Sequence, residues 1–261
     1  MAPDGTQAWA VFACYVSKHG PTTNQWLILK SLLDLELFDV VHVAYASEDD
    51  RVWSFEKLFA KTESHHFPNH YFKDFALFKR FFQKVKNTID QRPRQIVLIN
   101  DSCEIVRPFD MDLFRKHETD QFWSLTKNVN GVPPNAYANQ VLRSSYEHLQ
   151  SFFLVFQGKA VEYLFEWYTS DELTPMDFSI KSSNERQTVT SYEGVDRFEI
   201  GMSRYMHETH GIPLIAEYAQ RDIEQLFQMQ GPMRPLDLSF FFGPGLVYLG
   251  CPLLKRKRQS S

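Results

Sequence analysis

Three polar side chains follow directly after an apolar run near the middle of the chain. Residues 95–99 are mainly β-branched and apolar, and Asn100, Asp101 and Ser102 come next. Such a run predicts a strand buried on both faces, and ligands of open α/β sheets bind at the carboxyl ends of the strands. A carboxylate at that position can hold a hard cation, which in turn can neutralise a diphosphate. The alternative is that Asp101 and Ser102 only stabilise the following turn.

The elements around this run alternate between strand and helix. Apolar runs predict strands at 8–16, 39–46, 64–67, 95–99, 121–125, 148–156 and 213–218. Apolar residues at helical spacing predict helices at 25–35, 53–61, 72–89, 108–116, 159–168 and 195–209, with Thr23 or Asn24 as the cap of the first. The alternation predicts an α/β fold with a doubly wound sheet.

Composition indicates a globular protein that folds as one large domain. The chain has 261 residues, of which 43% are hydrophobic and 23% charged. The formal net charge of -4 argues against a dedicated nucleic-acid-binding protein. The three cysteines form no paired motif, and the first residues lack the pattern of a signal peptide, so we expect a cytoplasmic protein.

Several common catalytic signatures are absent from the sequence. It contains no dinucleotide-binding glycine motif, no phosphate-loop lysine motif and no serine-hydrolase elbow. His207 and His210 are three residues apart, whereas the zinc-protease motif needs a spacing of four. The adjacent His65 and His66 would face opposite sides of a strand and could not readily share a metal.

Five segments resemble the rhamnan synthesis protein F group of glycosyltransferases, which have a GT-A-like, Rossmann-type fold. The sequence LINDS at 98–102 is similar to an apolar strand that ends in Asn-Asp-Ser in that family. The other similar segments, in the same order as in the family, are FWSLT at 122–126, HLQSFF at 148–153, FEIGMS at 198–203 and GCPLLK at 250–255. A weaker similarity joins Asn69 with Asp74 and Phe75, where the family's glycine is missing and the spacing is one residue longer.

The resemblance implies a donor site for a nucleotide sugar. Transfer requires stabilisation of the diphosphate leaving group, and Asp101 would serve this task directly or through a divalent metal ion, Mn²⁺ or Mg²⁺. The predicted donor-binding residues, which also include the ends of the first two strands, are Tyr15, Ser17, Ser47, Glu48, Asp74, Asn100, Asp101 and Ser102. Those at the two strand ends could equally be loop caps.

The resemblance also implies an acceptor site with a general base. Glu199, with Asp196 as its nearest competitor, would accept the proton of the attacking hydroxyl; alternatively, Glu199 only interacts with the helix dipole. The predicted acceptor-binding residues are Trp123, His148, Gln150 and Ser151. Gln150 and Ser151 could instead form a buried hydrogen-bond network, and Trp123 could be core packing rather than a platform for a sugar.

These expectations combine into one functional hypothesis and one rival. The hypothesis is a single-domain glycosyltransferase over 1–261, with a nucleotide-binding half at about 8–126, an acceptor-side half at about 127–254 and a basic tail at 255–261. It would transfer a sugar from a nucleotide donor to a cell-surface polysaccharide or glycolipid. The resemblance favours rhamnose as this sugar, and we expect inversion at the anomeric carbon. The rival is a non-catalytic glycan- or protein-binding module on the same fold. The basic tail suggests weak contact with an anionic membrane surface, although it could equally be solvated.

Overall fold

The computed structural model describes residues 7–57, 59–67, 73–87, 92–128, 147–170, 195–226, 228 and 243–255. The strands within these ranges are β1 (Ala8–Val16), β2 (Val40–Ser47), β3 (Thr62–His66), β4 (Gln95–Asn100), β5 (Cys103–Ile105), β6 (Phe122–Asn128), β7 (His148–Leu149), β8 (Phe153–Gln157), β9 (Ile215–Tyr218) and β10 (Leu253–Lys255). The helices are α1 (Thr23–Asp34), α2 (Lys73–Val85), α3 (Met111–Lys116), α4 (Lys159–Thr169), α5 (Val195–Ile200, Gly201–Arg204 and Tyr205–Thr209), α6 (Gln220–Leu226) and α7 (Gly243–Leu249).

The main sheet is mixed, with a parallel half built by the first four strands. Its order begins β3-β2-β1-β4 and continues through β8 to β6, which also pairs with β9. The first four strands are parallel, β8 is antiparallel to both of its neighbours, and β9 is parallel to β6. The strand order reverses between β1 and β4, so the crevice at their carboxyl ends is the switch point of a doubly wound sheet.

Each face of the sheet is covered by its own hydrophobic layer. Alternate residues of β1, such as Phe12 and Cys14, belong to a cluster with Leu29 of α1, whereas Val11 and Ala13 belong to one with Phe81 of α2. The second cluster also contains residues of α4 and α5. Alternation along a strand buried on both faces accounts for this division. The predicted α/β class with a doubly wound sheet is confirmed.

Two predicted elements differ from the structure on the donor side. The predicted helix at 53–61 does not form in its described part: the Tyr45 hydroxyl accepts from the Trp53 amide at 2.7 Å and donates to the Trp53 carbonyl at 2.8 Å, so these backbone groups are used outside a helix. The first helix is capped by Thr22, which forms a capping box with Gln25, and not by Thr23 or Asn24. Asn24 instead binds the backbone of β5, at Cys103 and Ile105.

The predicted strand at 148–156 is interrupted by a bulge. Leu149 and Leu154 are five residues apart, but their partners in β6, Lys127 and Ser124, are only three apart. Two extra residues are therefore accommodated between β7 and β8. Bulges re-aim side chains and are frequent beside active sites. This one contains Gln150 and Ser151, both of which are predicted site residues.

Helix α5 confirms the predicted helix at 195–209 but is wound in an unusual way. Its first and last turns, Val195–Ile200 and Tyr205–Thr209, are π-helical, and Gly201–Arg204 between them is α-helical. Wide π turns are rare and occur frequently at functional sites. Glu199 lies in the first of them.

Candidate functional site

The Asp101 carboxylate lies at the switch point and links the two central strands, β4 and β1. It follows β4, and its Oδ2 accepts from the backbone amide of Tyr15 in β1 at 3.1 Å. The same oxygen accepts from Nε2 of Gln25 in α1 at 2.5 Å, and this Nε2 also donates to the Tyr15 carbonyl at 2.8 Å. The Asp101 carboxylate is therefore held in a fixed position by partners in β1 and α1.

Asn100 and Ser102 form a closed turn on either side of this carboxylate. Oδ1 of Asn100 accepts from the Ser102 amide at 3.1 Å and from the Ser102 hydroxyl at 2.5 Å. Asn100 is buried, and its backbone amide donates to the Phe152 carbonyl at 3.3 Å. These bonds match the turn-stabilising alternative for Ser102, whose hydroxyl is already engaged.

Asp74 lies at the beginning of α2 and acts on the same region electrostatically. Burial raises the pKa of the Cys14 thiol well above its ordinary value, and the negative charges of Asp101 and then Asp74 add to this effect. Cys14 lies in β1, beside Tyr15. Both carboxylates therefore place negative charge near the carboxyl end of the central strand.

The predicted donor residues at the ends of β1 and β2 are mainly engaged in loop contacts. The Ser17 hydroxyl donates to the Gly20 carbonyl at 3.1 Å, and Glu48 accepts from the Lys18 amide at 3.0 Å. Ser47 is fully buried and donates to the Arg51 carbonyl at 2.8 Å. These three contacts are those of loop caps, although Glu48 remains exposed at the edge of the sheet.

Tyr15 differs from these loop residues because it faces solvent. The residue is 45% exposed, although its neighbours Cys14 and Val16 are completely buried. An exposed aromatic ring beside the fixed Asp101 carboxylate offers a surface against which a planar base could pack.

The Glu199 carboxylate is buried and bonded to the bulge between β7 and β8. Its Oε2 accepts from the Ser151 hydroxyl at 2.9 Å, and its Oε1 lies 3.6 Å from Nε2 of His148. Glu199 is 8% exposed and Ser151 is also 8% exposed, so both lie just beneath the surface. The structure thus brings together three of the residues that the sequence predicts for the acceptor side.

Gln150 belongs to a neighbouring buried network. Its side-chain oxygen accepts from the Thr126 hydroxyl, and its backbone carbonyl accepts from the Ser124 hydroxyl at 3.1 Å. Below it, the Ser203 hydroxyl in α5 accepts from the Leu149 amide at 3.1 Å. This arrangement matches the hydrogen-bond-network alternative for Gln150 and fixes the bulge to α5 and β6.

Trp123 lies in the hydrophobic core and not on the exposed surface that an acceptor contact would require. Its side chain is completely buried and stacks on His117 with the ring centroids 4.4 Å apart. It also packs against Phe114 and Phe153 in the core. In this arrangement the ring has no exposed face, which matches the packing alternative for Trp123. For Asp196, the side chain lies outside the described residues.

Two contacts join the Asp101 and Glu199 regions. Phe152, the residue after Ser151, accepts from the amide of Asn100, the residue before Asp101. Phe75, the residue after Asp74, stacks on Phe198, the residue before Glu199, with ring centroids 5.1 Å apart and planes 13° apart. The two sets of predicted residues therefore form one region at the carboxyl edge of the sheet.

Asp101 has few potential metal-binding neighbours among the described residues. Oδ2 is directed at two amide donors, so any metal contact would fall to the other oxygen. Among the described residues, Asp101 does not belong to a group of three potential metal ligands; the one such group is His42, Glu63 and His65.

That histidine-containing group was not predicted, because its members come from two strands. His42 in β2 lies near His65 in β3, with their ring nitrogens Nδ1 and Nε2 3.1 Å apart. Burial lowers the pKa of His42 to about 3 and that of His65 to about 4. His66 instead contacts Tyr45 and Ser47. The two adjacent histidines thus face opposite sides of the sheet, which confirms the prediction.

A cavity of about 280 Å³ lies at the opposite edge of the sheet. It is lined by Ala8 and Gln95, which begin β1 and β4, and by Phe114 and Arg115 of α3. It is therefore separated from Asp101 by the length of the central strands. Its position does not match the ligand crevice of a doubly wound sheet.

Comparison with known proteins supports no transfer of residues or activity. No family model matches the chain, and no curated protein sequence matches it. A crystal structure of 4-diphosphocytidyl-2C-methyl-D-erythritol synthase is similar with a TM-score of 0.43 and 10% identity, over 81% of this chain and 89% of that one. The corresponding synthase from Anaerococcus prevotii DSM 20548 gives 0.40 and 10%, over 81% and 89%. HddC from Yersinia pseudotuberculosis gives 0.35 and 7%, over 68% and 86%. Superpositions this loose carry no functional argument.

Among the described residues, no helix is both long and apolar enough to cross a bilayer.

Proposed function

We propose that this protein is a glycosyltransferase that uses a nucleotide sugar as donor. The observation that carries the proposal is the pairing of a fixed carboxylate, Asp101, at the switch point with a buried carboxylate, Glu199, at the same edge of the sheet. The two are joined through the contact of Asn100 with Phe152. One carboxylate would orient the donor and the other would activate the acceptor.

The donor side is supported by the position and partners of Asp101. Its charge would repel a bare diphosphate, so its favourable partners are hydroxyl groups of the ribose or the sugar, which donate to carboxylates. Tyr15, exposed beside it, would pack on the base. Lys18, exposed in the turn after β1, brings a positive charge to the same edge. Such a cation favours the charge that develops on the leaving diphosphate.

The acceptor side is supported by the hydrogen bond of Ser151 to Glu199. A general base must lie within hydrogen-bond reach of the proton that it removes. The bond to Ser151 holds Oε2, and His148 flanks Oε1. A carboxylate held from two sides in a buried position has little freedom to rotate, and such pre-organisation favours proton transfer.

The proposed reaction is a single displacement at the anomeric carbon. The acceptor oxygen forms a bond to this carbon while the bond from the carbon to the diphosphate oxygen breaks. The hydroxyl proton passes to Glu199, and the nucleoside diphosphate leaves with the bonding electron pair. One base is sufficient for such a step, and the configuration is inverted.

The finer assignments rest on sequence resemblance. The similarity of LINDS at 98–102 and FEIGMS at 198–203 to the rhamnan synthesis protein F group favours rhamnose as the sugar and a cell-surface polysaccharide or glycolipid as the acceptor. Each segment carries one of the two carboxylates of the proposed site. The membrane-facing role of the tail at 255–261 also remains a proposal, since all but its first residue lie outside the described part of the chain.

The test measures donor use and donor binding separately. The intact protein is incubated with nucleotide-activated rhamnose, glucose, galactose and N-acetylglucosamine, and release of nucleoside diphosphate is recorded with and without Mn²⁺. Thermal stabilisation by the free nucleoside diphosphates is measured in parallel. Turnover of one donor, with stabilisation by its nucleotide, supports the enzyme. No turnover and no stabilisation with any nucleotide overturns it and favours the glycan-binding alternative.

A further inference from the structure

We infer that His42, Glu63 and His65 form a zinc-binding site at the outer edge of the sheet. The inference does not depend on glycosyl transfer. His42 lies in β2, and Glu63 and His65 lie in β3, which is the last strand of the sheet order on this side. The register pairs His42 with Glu63 and Ala44 with His65. Residues two apart on a strand share a face, so all three side chains project to the same side.

The distances among the three ligand atoms match those of a tetrahedral zinc site. Zinc ligands lie about 2.0–2.1 Å from the ion in tetrahedral geometry, which places any two of them about 3.3–3.4 Å apart. Here Nδ1 of His42 and Nε2 of His65 are 3.1 Å apart, and Oε2 of Glu63 is 3.4 Å and 3.9 Å from these nitrogens. An ion could enter with small side-chain movements.

The donor set and its burial favour zinc over magnesium or calcium. Imidazole nitrogens suit zinc and its transition-metal neighbours, whereas magnesium and calcium prefer oxygen ligands. The two histidines are 4% and 7% exposed and are held by aromatic rings, His42 by Trp9 and both by Phe81. The Glu63 side chain is 61% exposed. It therefore provides both an entry route and the side from which water would complete the coordination.

The surroundings indicate which nitrogen atoms can bind the ion. Nζ of Lys84 lies 3.2 Å from Nδ1 of His65, and an ammonium group can only donate. The proton of His65 is then on Nε2, which donates to Nδ1 of His42. Nδ1 of His42 therefore already presents its lone pair to the site. If zinc binds Nε2 of His65, the proton of this ring moves to Nδ1. The ammonium group of Lys84, which is exposed, would then turn away from Nδ1.

The expected role of the ion is to fasten the edge strand. Among the described strands, β3 is bonded to the sheet through β2 alone. Ligands from both strands would join them through the ion, at a place away from the carboxyl edge that carries Asp101. A metal bound only by the folded chain stabilises the fold by mass action.

The experiment titrates Zn²⁺ into the metal-free full chain by calorimetry and follows the melting temperature. We expect one equivalent to bind and to raise the melting temperature, with Mg²⁺ having neither effect. Glu63→Gln keeps the size of an exposed side chain, so the fold should be retained, and it should weaken zinc binding at least about 10–100-fold. Lys84→Gln removes the positive charge beside His65 and should strengthen zinc binding. The control His19→Gln removes an exposed histidine of a surface turn and should leave binding unchanged.

Co²⁺ provides a second measurement at the same site. Its visible absorption should indicate a four-coordinate nitrogen and oxygen environment in the wild-type chain and should be lost in Glu63→Gln and in His42→Gln. Circular dichroism in chelator shows whether the His42 variant is folded. Wild-type zinc affinity in Glu63→Gln, or no binding by the wild-type chain, overturns the inference. If zinc binds normally but no nucleotide sugar is used, the inference stands and the proposed glycosyltransferase fails.

Discussion

Ser151 donates a hydrogen bond of 2.9 Å to Oε2 of Glu199, although the two residues are 48 positions apart in the sequence. The bond joins a bulge in the sheet to a π-helical turn, two irregular features that each cost stability relative to regular structure. Both irregularities serve to place the same two side chains together. The contact between Ser151 and Glu199 is the strongest structural reason to place a catalytic group at this edge of the sheet.

Replacement of the proposed base should separate binding from transfer. Glu199→Gln keeps the size of the side chain and its bond to Ser151, but it cannot accept the proton of the acceptor hydroxyl. We expect the transfer rate at saturating donor to fall by roughly two to four orders of magnitude, while donor affinity measured by calorimetry is retained. Asp196→Asn is the matched control on the same helix and should be much milder. If Asp196→Asn is the inactive variant, the base is Asp196; if both are active, the site is misassigned.

The bond to Glu199 should make Ser151 a positioning residue. Ser151→Ala leaves the carboxylate in place but removes the donor that holds Oε2. A hydrogen bond to a charged group contributes roughly 1.5–3 kcal/mol, so we expect kcat to fall about 10- to 100-fold with little change in the donor KM. Ser151→Thr, which restores a hydroxyl, should recover most of the rate. Ser124→Ala removes another buried hydroxyl that bonds to the bulge and should lower stability without this loss of kcat. Equal losses in the two alanine variants would indicate a purely structural role.

The carboxylate at the switch point should be required for donor use rather than for folding. In Asp101→Asn the amide oxygen can still accept from Tyr15 and Gln25, so the melting temperature should stay within a few degrees. Loss of the charge should weaken the contacts with donor hydroxyls and reduce kcat/KM about 10- to 100-fold. Asp112→Asn, the same change at an exposed position of α3, is the control. Near-wild-type turnover by Asp101→Asn would remove Asp101 from the donor site.

The local sequence pattern was sufficient to predict the strand ends but not their partners. The apolar run before Asn100 predicts a buried strand with Asp101 at its end, and helical spacing predicts α5 around Glu199. Gln25, which holds Asp101, could not be identified because it lies 76 residues away and contacts it only through the register of the folded chain.

Three other features depend on tertiary contacts in the same way. The apolar run at 148–156 gives no signal of the bulge, since every residue after Ser151 is suited to a strand. The segment beginning at Trp53 has helical spacing, yet the Tyr45 hydroxyl binds its backbone groups. Likewise, His42 and Glu63 are brought together only by the pairing of β2 with β3. In each case the decisive contact is distant in sequence or depends on the register.

The stability of the chain should depend on pH through His117. This buried ring bonds to Asp120 and to Glu217, in each case at 2.7 Å. Burial alone would lower the pKa of His117, but the bonds to Glu217 and Asp120 outweigh burial and raise it above the ordinary value of 6.5.

For Glu217, burial would raise the pKa, but His117 and Lys116 lower it below the ordinary value of 4.5. The raised histidine pKa contributes stability that is complete below pH 6.5 and is lost as pH rises through the folded value. The lowered glutamate pKa contributes stability that is complete above pH 4.5 and is lost as pH falls through the folded value. Both contributions are therefore complete together only between pH 4.5 and pH 6.5.

We expect His117→Gln to have its largest effect on melting temperature in this interval. The loss should correspond to about 1.5–3 kcal/mol, the range for hydrogen bonds to charged groups, and should shrink as pH rises through the raised pKa of His117, where the wild-type ring loses its charge. Denaturation is followed by circular dichroism from pH 4 to pH 9 for the wild type, His117→Gln and the exposed control His19→Gln, whose curve should parallel that of the wild type. A difference between wild type and His117→Gln that does not vary with pH would mean that the ring contributes by packing on Trp123 and not through its charge.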